Sequence, residues 1–477
     1  MADLTAQPDT GSAEAAPAPG LRGSIGVTGI VFLVVAAAAP LTAIGGALPV
    51  MFAIGNGPGV PAAYLLVAAV LLLFSVGYAA MSRHVVDAGA FYSYVTAGLG
   101  RVTGTGAAGL ALLTYSAIQA GIYGLAGVTA GGLVTKYGGP DLPWWTWSGL
   151  LLTLVAVLGY RNIEVGTKVL SLLIVLEVGI VAVVAVAVLV QGGADGIDLD
   201  SFTPHSFSSG SPGIGVMFAV ASFVGFEATA IYGEEARDPK RSVAKATYCA
   251  VVLIGVFYAL ASWAMVLAVG TGKVQSAAAA DTSGLVFAVA GQYVGGAASD
   301  LMEILLLTSL FAALLAFHSA IARYLFSLGR QGSAPAALAR SHGRHGSPHI
   351  GSLAQTVSAA VVVAVFALAG ADPVLQLFTW MSGLATLGVL VLMILVSVAV
   401  VVFFGRGDAD SRLWHTRIAP VLGGLGLCAV VWLVLDNFTT LIGGSAALAG
   451  LFEGVVVLFF AIGALIAVRR RSDGPSA

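Results

Sequence analysis

The feature that most limits what this chain can become is a succession of apolar runs, each about long enough to cross a bilayer, repeated almost from end to end. A hydrocarbon core about 30 Å thick takes roughly 20 mostly apolar residues per helical crossing. Between charged or Gly/Pro-rich breaks, such runs fall at 25–50, 60–82, 102–135, 143–160, 167–190, 213–234, 245–270, 298–328, 350–370, 374–404, 416–436 and 446–468. The sequence therefore predicts an all-α integral membrane protein of about twelve transmembrane helices, with a short interfacial helix near 90–100. Only 9% of the 477 residues are charged, where a soluble domain carries about 25%. Residues 1–23, rich in Ala, Pro and small polar types, read as a disordered tail rather than a signal peptide.

Orientation follows from the basic residues, which cytoplasmic loops retain in excess. With the N-terminus inside, 19 of the 21 Lys and Arg residues face the cytosol, and only Lys136 and Lys273 face out. The outer loops carry Asp141, Asp195, Asp198, Asp200, Asp281 and Asp372 instead. Both termini are expected in the cytosol, including a short tail over 469–477, and the protein in the inner (cytoplasmic) membrane. Trp144, Trp145 and Trp147 open the fourth run as an interfacial aromatic belt would.

Several function classes find no support. A net charge of −2 with dispersed basic residues offers no surface for nucleic acid. Cys249 and Cys428 lie inside apolar runs, so neither a disulfide scaffold nor a metal site is expected. No phosphate-binding GxxxxGK[ST] loop, channel filter motif or clustered nucleophile and base is visible, and no cofactor or enzymatic activity is expected.

Two runs are interrupted. The first contains AAAAPLTAIGGALP, Ala36 to Pro49, where Pro40 removes a backbone donor and Gly45-Gly46 eases non-helical dihedrals. The sixth reads GIGVMFAVASFVGFEATAIYGEEARDPKRSVAKA, with Gly225 near mid-membrane and Glu227 two residues on. Broken helices at bilayer depth expose backbone groups, which is tolerable only against protein or an aqueous cavity. Paired interruptions in corresponding positions of two halves point to a transport site between repeats, although simple kinks and close-packing points use the same residues.

The segment Gly225 to Ala246 closely resembles the sixth-helix signature of the amino acid-polyamine-organocation superfamily, the amino acid permeases. DAGAFYSYVTAGLGR, Asp87 to Arg101, and the run from Ile321 to His349 agree with it, so that the resemblance covers about residues 24 to 468. It implies a leucine-transporter-like five-plus-five inverted repeat, 24–190 and 213–404, followed by two extra helices over 416–468. It also implies alternating access, with a substrate carboxylate on backbone amides of Thr42, Ala43, Ile44, Gly45 and Gly46. The ammonium would meet carbonyls of Ala39 or Pro40 and of the segment Ala221, Ser222, Phe223, Val224 and Gly225. Tyr115 and Gln119, one turn apart on the third helix, fall near the family's substrate-facing strip, and Trp380 is a candidate gate aromatic.

Among intramembrane carboxyls, each a functional hypothesis by default, Glu227 belongs to the signature. Glu177 stands where several proton-coupled relatives place a lysine, which reverses the local charge. It would carry a proton itself, hold a sodium ion beside it with Thr308 and Ser309, or serve as a structural carboxyl. Glu303 sits near a helix end, Glu453 lies outside the repeats, and His318 is more simply a packing histidine. The reading is a secondary transporter of amino acids coupled to protons. A carrier or exchanger of polyamines or other organic amines is the competing reading, and a sodium-coupled symporter a further one.

Overall fold

The computed structural model describes residues 26–85, 90–161, 167–231, 236–330, 332–343, 345–406 and 412–472. The expected tail over 1–23 lies outside them, as do residues 473–477 and the Glu234-Glu235 pair of the sixth-helix signature. Among the described residues the chain is all-helical, and ten helices are long and apolar enough to cross a membrane.

The first apolar run is two short helices, α1 (Val27–Ala37) and α2 (Thr42–Ile54). The second is α3 (Val60–Met81). The expected interfacial segment is α4 (Ala90–Leu99), and the third run is a single uninterrupted helix, α5 (Arg101–Lys136). At 1.5 Å per residue α5 is about 54 Å long, far beyond the hydrocarbon thickness. The fourth run is α6 (Trp144–Tyr160), whose 17 residues sit at the short limit for a crossing. Then come α7 (Thr167–Gln191), the interrupted pair α8 (Pro212–Phe223) and α9 (Ala228–Ile231), and α10 (Pro239–Val269). Two short helices, α11 (Val274–Ala280) and α12 (Leu285–Tyr293), lead into the 35-residue α13 (Gly296–Arg330). The chain ends with α14 (His349–Leu368), α15 (Thr379–Gly405), α16 (Ala419–Leu441) and α17 (Ala446–Ser472).

Spans five places apart in the sequence lie side by side: α3 against α10, α5 against α13, α6 against α14, and α1 against α9; α1 also packs on α10. The sixth run is the most enclosed of the ten spans, 83% buried, against 28% for α7 and 17% for α17. Peripheral helices turn bulky aliphatic side chains outward, as at Val190 and Val457, because lipid tails solvate them as well as a protein core does. Lys136 closes α5 onto α13 by pairing with Asp300 at 2.6 Å and Glu303 at 2.8 Å. Glu303 is thereby accounted for as a helix-end ion pair.

Candidate site at the crossing of the interrupted helices

Pro40 explains where the first run breaks. A proline is cheap only in the first turn of a helix, where its missing N–H would find no partner anyway. The chain accordingly leaves α1 at Ala37, turns through Ala38 and Ala39, and starts the next helical stretch at Pro40. Ala39 takes φ 45°, the one non-glycine residue with positive φ among those described. The non-helical interruption is thus confined to Ala38 and Ala39, within the Ala36–Pro49 stretch that the sequence marks. Thr42 to Ala47 form a wide π-helical turn, and the Ala43 amide is occupied by the Ala39 carbonyl at 3.2 Å. Gly45 and Gly46 serve as packing points there: a Cβ on Gly45 would stand 3.3 Å from Leu306, and one on Gly46 would run into Leu125. Backbone donors are thus concentrated at Leu41 and Thr42, in the first turn.

The sixth run breaks after Phe223. Val224 adopts an extended conformation and Gly225 takes φ 111°, which only glycine adopts without strain. Turns through Gly225 to Glu227 then lead into α9. The two breaks meet: a Cβ on Gly225 would lie 3.1 Å from the Ala37 side chain and 3.3 Å from its carbonyl oxygen. The negative ends of α1 and α8 and the positive end of α2 thus converge on one spot.

A cavity of about 70 Å³ occupies that spot. Ala39, Thr42, Ala43, Ala221, Ser222 and Val224 line it, as the resemblance implied. Pro40, Ile44, Gly45, Gly46, Phe223 and Gly225 do not, being turned into the packing around it. The opposite wall consists of one-turn pairs from three helices: Ile118 and Ile122 of α5, Ala313 and Phe317 of α13, and Phe378 and Ser382 at the start of α15. Sequence reasoning missed this wall, because nothing distinguishes its aliphatic and aromatic residues from ordinary core. A larger, open hollow of about 450 Å³ at the Lys136 end of α5, lined by Gly131 and Trp144, lies apart from the breaks.

Glu227 is buried beneath the break. Its carboxylate accepts from the Gly225 amide at 2.8 Å and the Tyr115 hydroxyl at 3.2 Å, and its own carbonyl accepts from Tyr78 at 2.7 Å. Tyr115 therefore clamps the break from α5 and does not line the cavity. Gln119 is likewise committed elsewhere. It donates to the Leu314 carbonyl at 2.9 Å and accepts from Gln355 of α14 at 2.6 Å. Gln355 in turn accepts from Ser116 at 3.1 Å, so a buried polar chain ties α5, α13 and α14 together. Gln119→Leu should strand the Gln355 amide and lower stability by about 1–3 kcal/mol, read as a drop in the thermal unfolding midpoint of the purified protein. His318 bonds Ser352 at 2.8 Å across α13 and α14, a packing role. Trp380 meets Phe366 and Phe452 edge to face and does not line the cavity.

The second buried carboxyl, Glu177 of α7, sits on the far side of the first turn of α2. It accepts from Ser309 of α13 at 3.0 Å, and the Leu41 amide faces the same carboxyl. Ser309 stands 3.4 Å from the Thr42 hydroxyl. Thr308 instead donates to the Leu305 carbonyl of its own helix, so of the two expected hydroxyls only Ser309 reaches Glu177. The described residues place no Lys or Arg in an ion pair with Glu177. Leu41 and Thr42 thus present one helix start to two clients, the carboxyl of Glu177 and the cavity.

Comparison with known proteins bears on what such a crossing is for. Residues 25–465 match the family described as amino acid permease. The branched-chain amino acid permease BcaP of Bacillus subtilis is 23% identical over 85% of this chain and 86% of its own length. The lysine-specific permease LysP of Lactococcus lactis is 26% identical over 64% of this chain and 62% of its own. The aromatic amino acid transport protein AroP of Escherichia coli K12 is 30% identical over 45% of this chain and 48% of its own.

Proposed function

Because this chain belongs to the amino acid permease family, a family of multi-pass membrane transporters rather than enzymes, we propose that it carries amino acids across the cytoplasmic membrane by proton-driven alternating access. The observation that supports this reading is the meeting of two interrupted helices around one small cavity, with helix ends of both signs aimed at it. A zwitterion matches those ends. Its carboxylate meets the start of α2 at Thr42, and its ammonium meets carbonyls at the ends of α1 and α8. The two repeats, 24–190 and 213–404, would rock about the crossing to expose it to each side in turn.

Coupling follows from the shared first turn of α2. An ionised Glu177 and a substrate carboxylate would place two negative charges at one helix start, where each weakens the other's hold. A proton on Glu177 removes the conflict and favours substrate. By reciprocity, bound substrate then favours the proton to the same degree. A sodium ion held beside Glu177 with the Ser309 and Thr42 hydroxyls would relieve the same conflict. Proteoliposomes containing the purified protein decide between them. Uptake of labelled amino acids should follow an inward proton gradient and ignore sodium; strict sodium dependence with no response to pH would reject proton coupling.

From the 19-to-2 division of basic residues we infer that both termini are cytosolic. Reporter fusions after Ser472 should report a cytosolic C-terminus, and an external signal would reverse the orientation assigned to every loop.

A further inference from the structure

Resting on the amino acid transport reading above, we propose that the substrate is a neutral amino acid with an aliphatic side chain, alanine to leucine in size, and that Ile118, Ile122, Phe317 and Phe378 are the residues that select it. The cavity has two unlike sides. The interrupted helices supply backbone groups and the hydroxyls of Thr42 and Ser222, which suit the charged ends common to all amino acids. The facing wall is what an individual side chain would touch, and it is apolar apart from Ser382. Among the described residues that line the cavity, none is charged.

That absence decides more than the apolar lining does. A lysine side chain or the second ammonium of a polyamine would need a carboxylate, since an ion placed against aliphatic and aromatic carbon keeps neither its water nor a partner. The two buried carboxyls nearby are turned elsewhere. Glu227 is held by the Gly225 amide and the Tyr115 hydroxyl, and Glu177 by Ser309 behind α2. An acidic side chain would meet no base.

Size narrows the class further. Phe317 packs on Tyr115, ring centroids 6.1 Å apart, and Phe378 on a stacked Phe218 at 5.9 Å, so both rings have an aromatic neighbour behind the cavity wall. At about 10–15 Å³ of such space per water, the 70 Å³ cavity holds roughly five waters. At about 30 Å³ of liquid volume per water, displacing them frees roughly 150 Å³, which suits alanine to leucine as whole molecules and falls well short of tryptophan.

The test uses the full chain in proteoliposomes with labelled L-alanine, L-valine, L-leucine, L-tryptophan, L-lysine, L-glutamate and putrescine, each at the same concentration. The three aliphatic substrates should be taken up, and the other four at least about tenfold more slowly, the discrimination that a fitted apolar pocket reaches. Two variants then move selectivity in opposite directions. Phe317→Ala should raise the tryptophan-to-alanine ratio about tenfold, and Ala313→Leu should lower the leucine-to-alanine ratio about tenfold. Uptake of lysine or glutamate at the rate of leucine would overturn this proposal and leave amino acid transport standing. Uptake of putrescine alone, or of nothing in the panel, would overturn both. Variants that transport with unaltered ratios would show that these residues do not form the selecting wall.

Discussion

Glu177→Gln is expected to abolish gradient-driven accumulation while leaving the protein able to exchange external for internal amino acid. Glutamine keeps the shape of the side chain and its bond to Ser309, and it removes the charge. The start of α2 then sees a permanently neutral neighbour, as it would with a protonated glutamate. Wild-type affinity should fall as pH rises, because an increasing share of Glu177 is ionised against the substrate carboxylate, and the variant's affinity should be flat across the same range. The difference between the neutral and ionised states, of the size typical for coupled sites, is about 5–150-fold in affinity. Exchange needs no net proton movement and so survives, which separates loss of coupling from loss of folding. Counterflow of labelled alanine or leucine in proteoliposomes, with and without a pH gradient, reads both quantities. Concentrative uptake that persists in the variant with an unaltered pH profile would reduce Glu177 to a structural carboxyl bridging α7 and α13.

The membrane-spanning architecture was legible because it rests on composition and run length alone. Ten of the runs recur as spans long and apolar enough to cross, the sixth among them despite its break, and the two that do not are the first run, broken before Pro40, and the 17-residue α6. The site was legible only in part. Pro40 and Gly225 mark chemistry the backbone cannot hide, and both interruptions appear close to them. The extent of the first break was misread, because Gly45 and Gly46 look permissive in sequence while their role is close packing on Leu306 and Leu125. Tyr115 and Gln119 lie on the correct helix, and yet the neighbouring Ile118 and Ile122 face the cavity. Polarity draws attention to Tyr115 and Gln119, whose hydrogen bonds are spent on Glu227, Leu314 and Gln355. Which positions surround the cavity depends on helix rotation, and an almost uniformly apolar sequence carries little record of that.

Gly225→Val should weaken substrate binding by about 5- to 150-fold in a protein that still folds and inserts. Two separate costs fall on one position. A backbone at φ 111° costs a β-branched residue about 1–3 kcal/mol, and the new Cβ would stand 3.1–3.3 Å from the side chain, carbonyl carbon and carbonyl oxygen of Ala37. Both are relieved by the same movement, a retreat of the sixth-helix turn from the first-helix turn. That retreat separates the carbonyls that would share the substrate ammonium, and it also withdraws the Gly225 amide from the Glu227 carboxylate, 2.8 Å away. If the strain is relieved by giving up the site geometry, affinity falls by at least the equivalent factor, about 5- to 150-fold. Gly45→Ala is the matched comparison. Its new methyl would meet the flexible end of Leu306 at 3.3 Å in a turn with ordinary helical dihedrals, away from the cavity, so binding should change by less than about threefold. Ligand-induced thermal stabilisation of the detergent-purified proteins measures both without requiring transport. Equal loss in the two variants would mean that the first-helix glycines also contact substrate, and full binding by Gly225→Val would remove the crossing of the two breaks as the site.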